Sequence, residues 1–197
     1  MRKLRPLWAV LVAVSTALAA GCGTSQGGTP ATQATPPSTA SMTSTAATTP
    51  SVARPKALSM TGVDPCRLIN PATLPALKID QPPRPSQATR FDNAPRCGFN
   101  GIPAVYYITA ISSAGIDVWS SGPSKVTQLP PIAGFPAVQV TLAAEPERCD
   151  VAVDVANGQQ LLATASVVPG FENRVPPNCD AAQQVAQAAM STLLQQR

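Results

Sequence analysis

The chain has 197 residues, with fourteen Lys and Arg against ten Asp and Glu and no histidine. Lack of histidine removes the commonest general base and metal ligand. Arg2, Lys3 and Arg5 all lie at the N-terminus, so the rest carries eleven basic and ten acidic residues, a net charge of +1; nucleic acid, which demands a clustered basic footprint, is not an expected partner.

Residues 1–21 read as an export signal. A basic start is followed by a mostly apolar run from Leu7 to Ala20, and the small residues Ala19-Ala20-Gly21 precede Cys22. The run is shorter than the roughly 20 apolar residues that span a bilayer. A cysteine directly after the small residues is the mark of a bacterial lipoprotein signal, although Ala19 stands where Leu is usual. Cys22 is therefore the expected lipid attachment site. Its acyl chains (palmitate among them) would hold the protein on the extracytoplasmic face of the cell membrane, since each buried methylene contributes about 0.8 kcal/mol.

Residues 22–58 read as a disordered Ser/Thr/Pro-rich tether. Between Gly23 and Leu58 there are fourteen Ser and Thr, five Pro, no aromatic residue, and Arg54 and Lys56 as the charges. Such a composition buries too little apolar surface to offset its ordering entropy. As a flexible coil it would span roughly 30–36 Å. O-glycosylation at Thr43, Thr45, Thr48 or Thr49 and an unmodified linker both fit this stretch.

Residues 59–197 have the length of one folded domain. Asp64-Pro65 and Asn70-Pro71 each offer an N-cap followed by a proline at the first helical position. Short helical turns are expected there, with Leu68, Leu74 and Leu77 as core contacts and Pro75 preventing a longer helix. Gln81 to Arg96 reads as loop. Ala104 to Ser112 alternates and is rich in Val, Tyr and Ile, as a strand does. Ile116 to Trp119 is a short apolar piece of ambiguous type, Ser121 to Pro131 reads as loop, and Phe135 to Leu142 reads as a strand.

Arg148 to Val168 carries the clearest pattern. Val151, Val153 and Val155 alternate with Asp150 and Asp154, and Asn157-Gly158 turns the chain. A two-residue loop would pair Val153 with Leu162. A three-residue loop, Ala156 to Gly158, pairs Val153 with Leu161, Val151 with Ala163 and Cys149 with Ala165. The second register matches apolar residues along one face and uses Gly158 as the left-handed bulge residue. After Pro169, Gly170, Pro176 and Pro177, a helix is expected near Asn178, with Ala182, Val185, Ala186, Ala189 and Leu193 as one apolar stripe. Gln183, Gln184 and Gln187 cover its other faces, so it is expected to pack on the sheet and not to cross a membrane. The fold class expected is α+β: an antiparallel sheet of about 4–6 strands, short N-terminal helices and a C-terminal helix packed on one face.

Cys66, Cys97, Cys149 and Cys179 form an even set in an exported chain, which implies disulfides. Three pairings are open. We favour the sequence-adjacent one, Cys66–Cys97 and Cys149–Cys179, which closes loops of about 30 residues worth roughly 3–4 kcal/mol each. Zinc sites favour Cys-x-x-Cys spacing, which is absent here.

Several of these features coincide in one family. Asp64-Pro65-Cys66 is followed by Leu68-Ile69 and Pro71-Ala72, Cys97 precedes a strand, Gly134-Phe135-Pro136-Ala137 leads into another, Cys149 opens Asp150-Val151-Ala152-Val153, and Cys179 heads the last helix. This layout resembles the DUF3558 family of actinobacterial, mycobacterial-type lipoproteins, a domain of unknown function. Pro75, and Phe99 after Gly98, depart from the family's pattern. The resemblance implies surface exposure and two disulfides, and no chemistry.

No catalytic residue, cofactor or metal site is expected. Ser112-Ser113 has no histidine partner. Asp150 and Asp154 read as a solvated strand face, and Glu145 and Glu147 as loop carboxylates. Arg84, Arg90 and Arg96 recur at six-residue spacing with Asp80 and Asp92 between them, and read as a solvated loop in preference to an anion site. Tyr106, Tyr107 and Trp119 read as core in preference to a groove, although one of the adjacent tyrosines must face away. The expected function is a membrane-anchored envelope module that binds a protein partner or small-molecule ligand without catalysis. A lipid- or glycolipid-handling protein is the alternative, and a cell-wall enzyme ranks below both.

Overall fold

The computed structural model describes residues 53–197. The export signal, Cys22 and most of the tether lie outside the described residues. Among the described residues are seven strands, short 3₁₀ turns and one long helix. The strands are β1 (Arg84–Ala88), β2 (Ala94–Asn100), β3 (Ala104–Ile111), β4 (Ser124–Ile132), β5 (Phe135–Leu142), β6 (Arg148–Ala156) and β7 (Gln159–Val167). The helix is α1 (Asn178–Gln195). All neighbouring strands are antiparallel, in the order β1-β2-β3-β7-β6-β5-β4. The α+β class and the C-terminal helix follow the sequence expectation.

The extra strands come from two stretches read as loops. Both β1 and β4 are sheet edges. Pro85 lies in β1, and Pro130 and Pro131 interrupt the β4–β5 register between Leu129 and Ile132. An edge strand tolerates proline because one row of its N–H groups has no ladder partner. Proline therefore masked these strands in the sequence without preventing them.

The β6–β7 hairpin has the three-residue-loop register: Val153 opposes Leu161, Val151 opposes Ala163 and Cys149 opposes Ala165, with an irregularity between Asp154 and Ala156. Gly158 has φ +65°, the left-handed conformation that the turn requires. The 3₁₀ turns Pro65–Arg67 and Pro71–Thr73 are capped by Asp64 and Asn70, which accept from the amides of Cys66 and Ala72 at 2.9 Å each.

One face of the sheet and α1 enclose the main core. Ala182, Val185, Ala186, Ala189, Met190 and Leu193 pack there with Tyr106, Ile108, Val151, Val153 and Leu161. Each large apolar side chain so buried contributes roughly 1.5–3 kcal/mol. Cys149–Cys179 joins β6 to the start of α1, and Cys66–Cys97 joins the first 3₁₀ turn to β2. The sequence-adjacent pairing is thus the one present.

The fold begins before residue 59, where composition alone set the expected boundary. The Leu58 amide donates to the Val155 carbonyl (2.8 Å), Leu58 is buried in the main core, and Arg54 pairs with Asp154 at 2.5 Å and donates to Asn157 Oδ1. Composition missed this because an isolated Leu and Arg hardly alter a Ser/Thr-rich average.

Candidate functional site

The sheet face opposite α1 is only partly covered. The connection from β3 to β4 crosses it, carrying the 3₁₀ turn Ile116–Ser120. Trp119, fully buried, packs there against Phe91, with ring centroids 5.7 Å apart in edge-on geometry. Gln160 fixes the crossing: its Oε1 accepts from Trp119 Nε1 (2.8 Å), and its Nε2 donates to the carbonyls of Ala114 (3.2 Å) and Gly115 (2.9 Å). Ile111, Val138, Ala152 and Leu162 complete a second, smaller core under it.

Beside this crossing the face stays open as a cleft of about 430 Å³. Strand register builds its floor. Tyr107 opposes Thr164, which opposes Asp150; in the next row Arg96 opposes Thr109, which opposes Leu162. The turn Thr89–Phe91 walls one side, and Glu145 and Arg148 wall the other. Gly98 matters to its shape: a Cβ there would lie 3.1 Å from Tyr107 Cε1, so the missing side chain lets the tyrosine ring lie across β2.

A buried acid lies under the cleft. Asp150 is 1% exposed. Thr164 Oγ1 donates to its Oδ1 at 2.5 Å, Arg148 Nε and Nη2 donate to the same oxygen at 3.2 Å each, and Nη2 lies 3.0 Å from Oδ2. Arg148 Nη1 also donates to Glu145 Oε2 at 2.9 Å. Burial pushes the Asp150 carboxyl above its ordinary range, although Arg148 and the Thr164 hydroxyl both favour the charged form. The expectation that Asp150 and Asp154 share a solvated face is therefore corrected. Asp154 is half-buried against Arg54, and Asp150 is enclosed under the cleft by Arg148 and Thr164.

The arginines expected in a loop lie on β1, the Thr89–Phe91 turn and β2; Arg84 and Arg90 are exposed and Arg96 is half-buried. Arg90 and Arg96 both line the cleft, while Arg84 lies on the edge strand outside its lining. Among the described residues neither Arg90 nor Arg96 has a carboxylate partner; Arg96 Nε donates to Ser86 Oγ at 3.1 Å. Their guanidiniums stack on rings instead, Arg96 at 4.7 Å from the Tyr107 centroid and Arg90 at 4.8 Å from that of Trp119. Tyr106 belongs to the main core, whereas Tyr107 and Trp119 line the cleft. Sequence reasoning passed over Arg148, Thr109 and Thr164. Two signals were present: the Arg148-x-Asp150 spacing on one strand face, and the hairpin register that sets Thr164 opposite Asp150.

A second concavity of about 640 Å³, between Pro75, Ile79, Ile102 and Pro103, has Lys78, Asp80 and Arg174 as its charged groups. It lacks convergent buried polar atoms, and the cleft is the better binding-site candidate on that ground. Among the described residues no cluster of three His, Cys, Asp or Glu is arranged to hold a metal ion, and no helix is long and apolar enough to cross a membrane.

The family model described as "Protein of unknown function (DUF3558)" matches residues 17–192. The chain belongs to this family. No curated protein and no solved structure matches it. Within this DUF3558 chain the matched segment contains every cleft residue and all five cysteines.

Proposed function

We propose that this chain is a lipid-anchored cell-envelope lipoprotein whose folded domain is a non-catalytic binding module, with the cleft opposite α1 as its ligand site. One observation carries the binding reading: a concave cleft of about 430 Å³, within the small-molecule range, on which Arg90, Arg96, Arg148, Thr109 and Thr164 converge beside Tyr107. The non-catalytic reading draws on the same groups. Asp150 is committed to Arg148 and Thr164, and Glu145 to Arg148. Anchoring is supported by the basic start, the apolar run and Cys22, and by a family match that reaches back to residue 17. The lipid-handling alternative calls for a dry cavity between helix and sheet. That layer is filled by side chains such as Val185, Met190 and Leu193, each no more than 1% exposed.

Two experiments test the two halves. Cys22→Ala should fold, keep both disulfides and leave the membrane fraction; a variant that stays membrane-bound refutes the anchor. Ser166→Trp should fill the cleft from the half-exposed end of β7. Small molecules extracted from the native protein should include one missing from that variant while its circular dichroism is unchanged. Identical extracts, or measured turnover of a cell-wall substrate, would overturn the binding-module reading.

A further inference from the structure

The cleft holds more positive charge than its own acids neutralise. Glu145 and Asp150 are both engaged with Arg148, whereas Arg90 and Arg96 have no carboxylate partner among the described residues. Each guanidinium carbon lies over a ring, Arg90 on Trp119 and Arg96 on Tyr107, which covers one side of each group. Stacking also limits their rotamer freedom. A stacked guanidinium keeps its in-plane N–H groups for a planar oxyanion, and two parallel donors suit a carboxylate or phosphate. Arg96 spends only Nε, on Ser86, so both terminal nitrogens are unspent on side chains. The lining also has apolar members, Leu142, Leu162 and the Tyr107 ring, beside the hydroxyls of Thr109 and Thr164.

We propose that the cleft takes a small organic oxyanion, a carboxylate or phosphate ester on a flat or apolar body, with Arg90 and Arg96 pairing the anionic group and Tyr107, Leu142 and Leu162 contacting the body. The proposal rests on the cleft being the ligand site. Asp150 is a positioning residue in this scheme, holding Arg148 along the cleft wall.

Calorimetric titration of the full-length chain tests it with benzoate, phenyl phosphate, inorganic phosphate and benzamide, the last being the neutral counterpart of benzoate. Benzoate or phenyl phosphate should bind, with benzamide and inorganic phosphate at least about 10-fold weaker. Affinity should fall as salt is raised. Arg96→Gln should weaken anion binding by about 10- to 100-fold. Arg96→Lys should restore part of it, and Arg84→Gln, outside the cleft on the same hairpin, should leave it unchanged. The relative strength of benzoate and phenyl phosphate separates carboxylate from phosphate ligands. Equal binding of benzamide and benzoate, or equal losses in Arg96→Gln and Arg84→Gln, overturns the anion inference and leaves the cleft reading intact. No anion binding up to about 10 mM also overturns it. The Ser166→Trp extraction then judges the cleft reading on its own.

Discussion

Asp150 and Thr164 face one another across the β6–β7 pair, the threonine hydroxyl donating to a carboxylate that is almost wholly enclosed. A charged hydrogen bond of this kind is expensive to lose from one side only. Thr164→Val should destabilise the domain by about 1–3 kcal/mol, because the buried Asp150 loses a hydrogen-bond donor. Adding Asp150→Asn to that variant should cost less than the two single changes summed. Urea denaturation of the double-mutant cycle measures the coupling; strict additivity would mean the hydroxyl and the carboxylate do not interact.

The same acid makes stability pH-dependent. Folded Asp150 binds its proton more tightly than the unfolded chain does, because burial raises its pKa. Between the ordinary carboxylate range and the raised native value, the folded state holds the extra proton. The contribution of Asp150 to stability therefore falls as pH rises through that interval and recovers as pH is lowered. Asp150→Asn should remove this slope. Urea midpoints from about pH 3 to 7 for wild type and variant check it, and parallel curves would contradict it.

Gln160 supplies every side-chain hydrogen bond between β7 and the crossing segment. Gln160→Ala strands the Trp119 indole N–H and two carbonyls and leaves a void. A loss of about 2–4 kcal/mol is expected, with tryptophan emission shifted to the red as the crossing loosens. The cleft should deform with it, so ligand binding should weaken in step. Unchanged emission would show that the crossing is held by packing alone.

The Cys149–Cys179 bridge closes a separation of 30 residues between a central strand and the last helix. Cys149→Ala with Cys179→Ala should cost about 3–4 kcal/mol, mainly by freeing the unfolded chain. Hydrogen exchange should rise first in α1, whose N-terminus the bridge holds.

The β4–β5 turn stores removable strain. Ala133 (φ +51°) and Gly134 (φ +85°) form the two central residues between Ile132 and Phe135. A turn with both residues left-handed favours Asn-Gly. Ala133 is exposed, so Ala133→Asn should stabilise the domain by about 0.5–1 kcal/mol, seen as a higher Tm. A lower Tm would mean that the asparagine meets an unforeseen contact.

Local rules carried the sequence reading wherever one face, one cap or one turn decided the structure. Alternation and Asn157-Gly158 were enough to set the β6–β7 register, because a slip of one residue would expose Val151 and Val153. The apolar stripe located α1, and Asp64 and Asn70 located the capped turns. The cleft was not legible in that way. Alternation says that Asp150 lies opposite Val151, and not that Arg148 and Thr164 close over it.

Cys22 shows the difference between the two kinds of information. Its basic, apolar and small-residue context is a linear signal, read without tertiary structure, and it remains a proposal about chemistry outside the described residues. The α+β class and the helix stripe were likewise determined by short-range pattern and backbone sterics. Which stretches become edge strands, and which polar residues are enclosed, was decided only when β3 crossed to the far edge and β7 returned to pair with it. Burial and charge balance depend on such long-range contacts, so Arg90, Arg96, Tyr107, Arg148 and Thr164 became one site only in the folded chain.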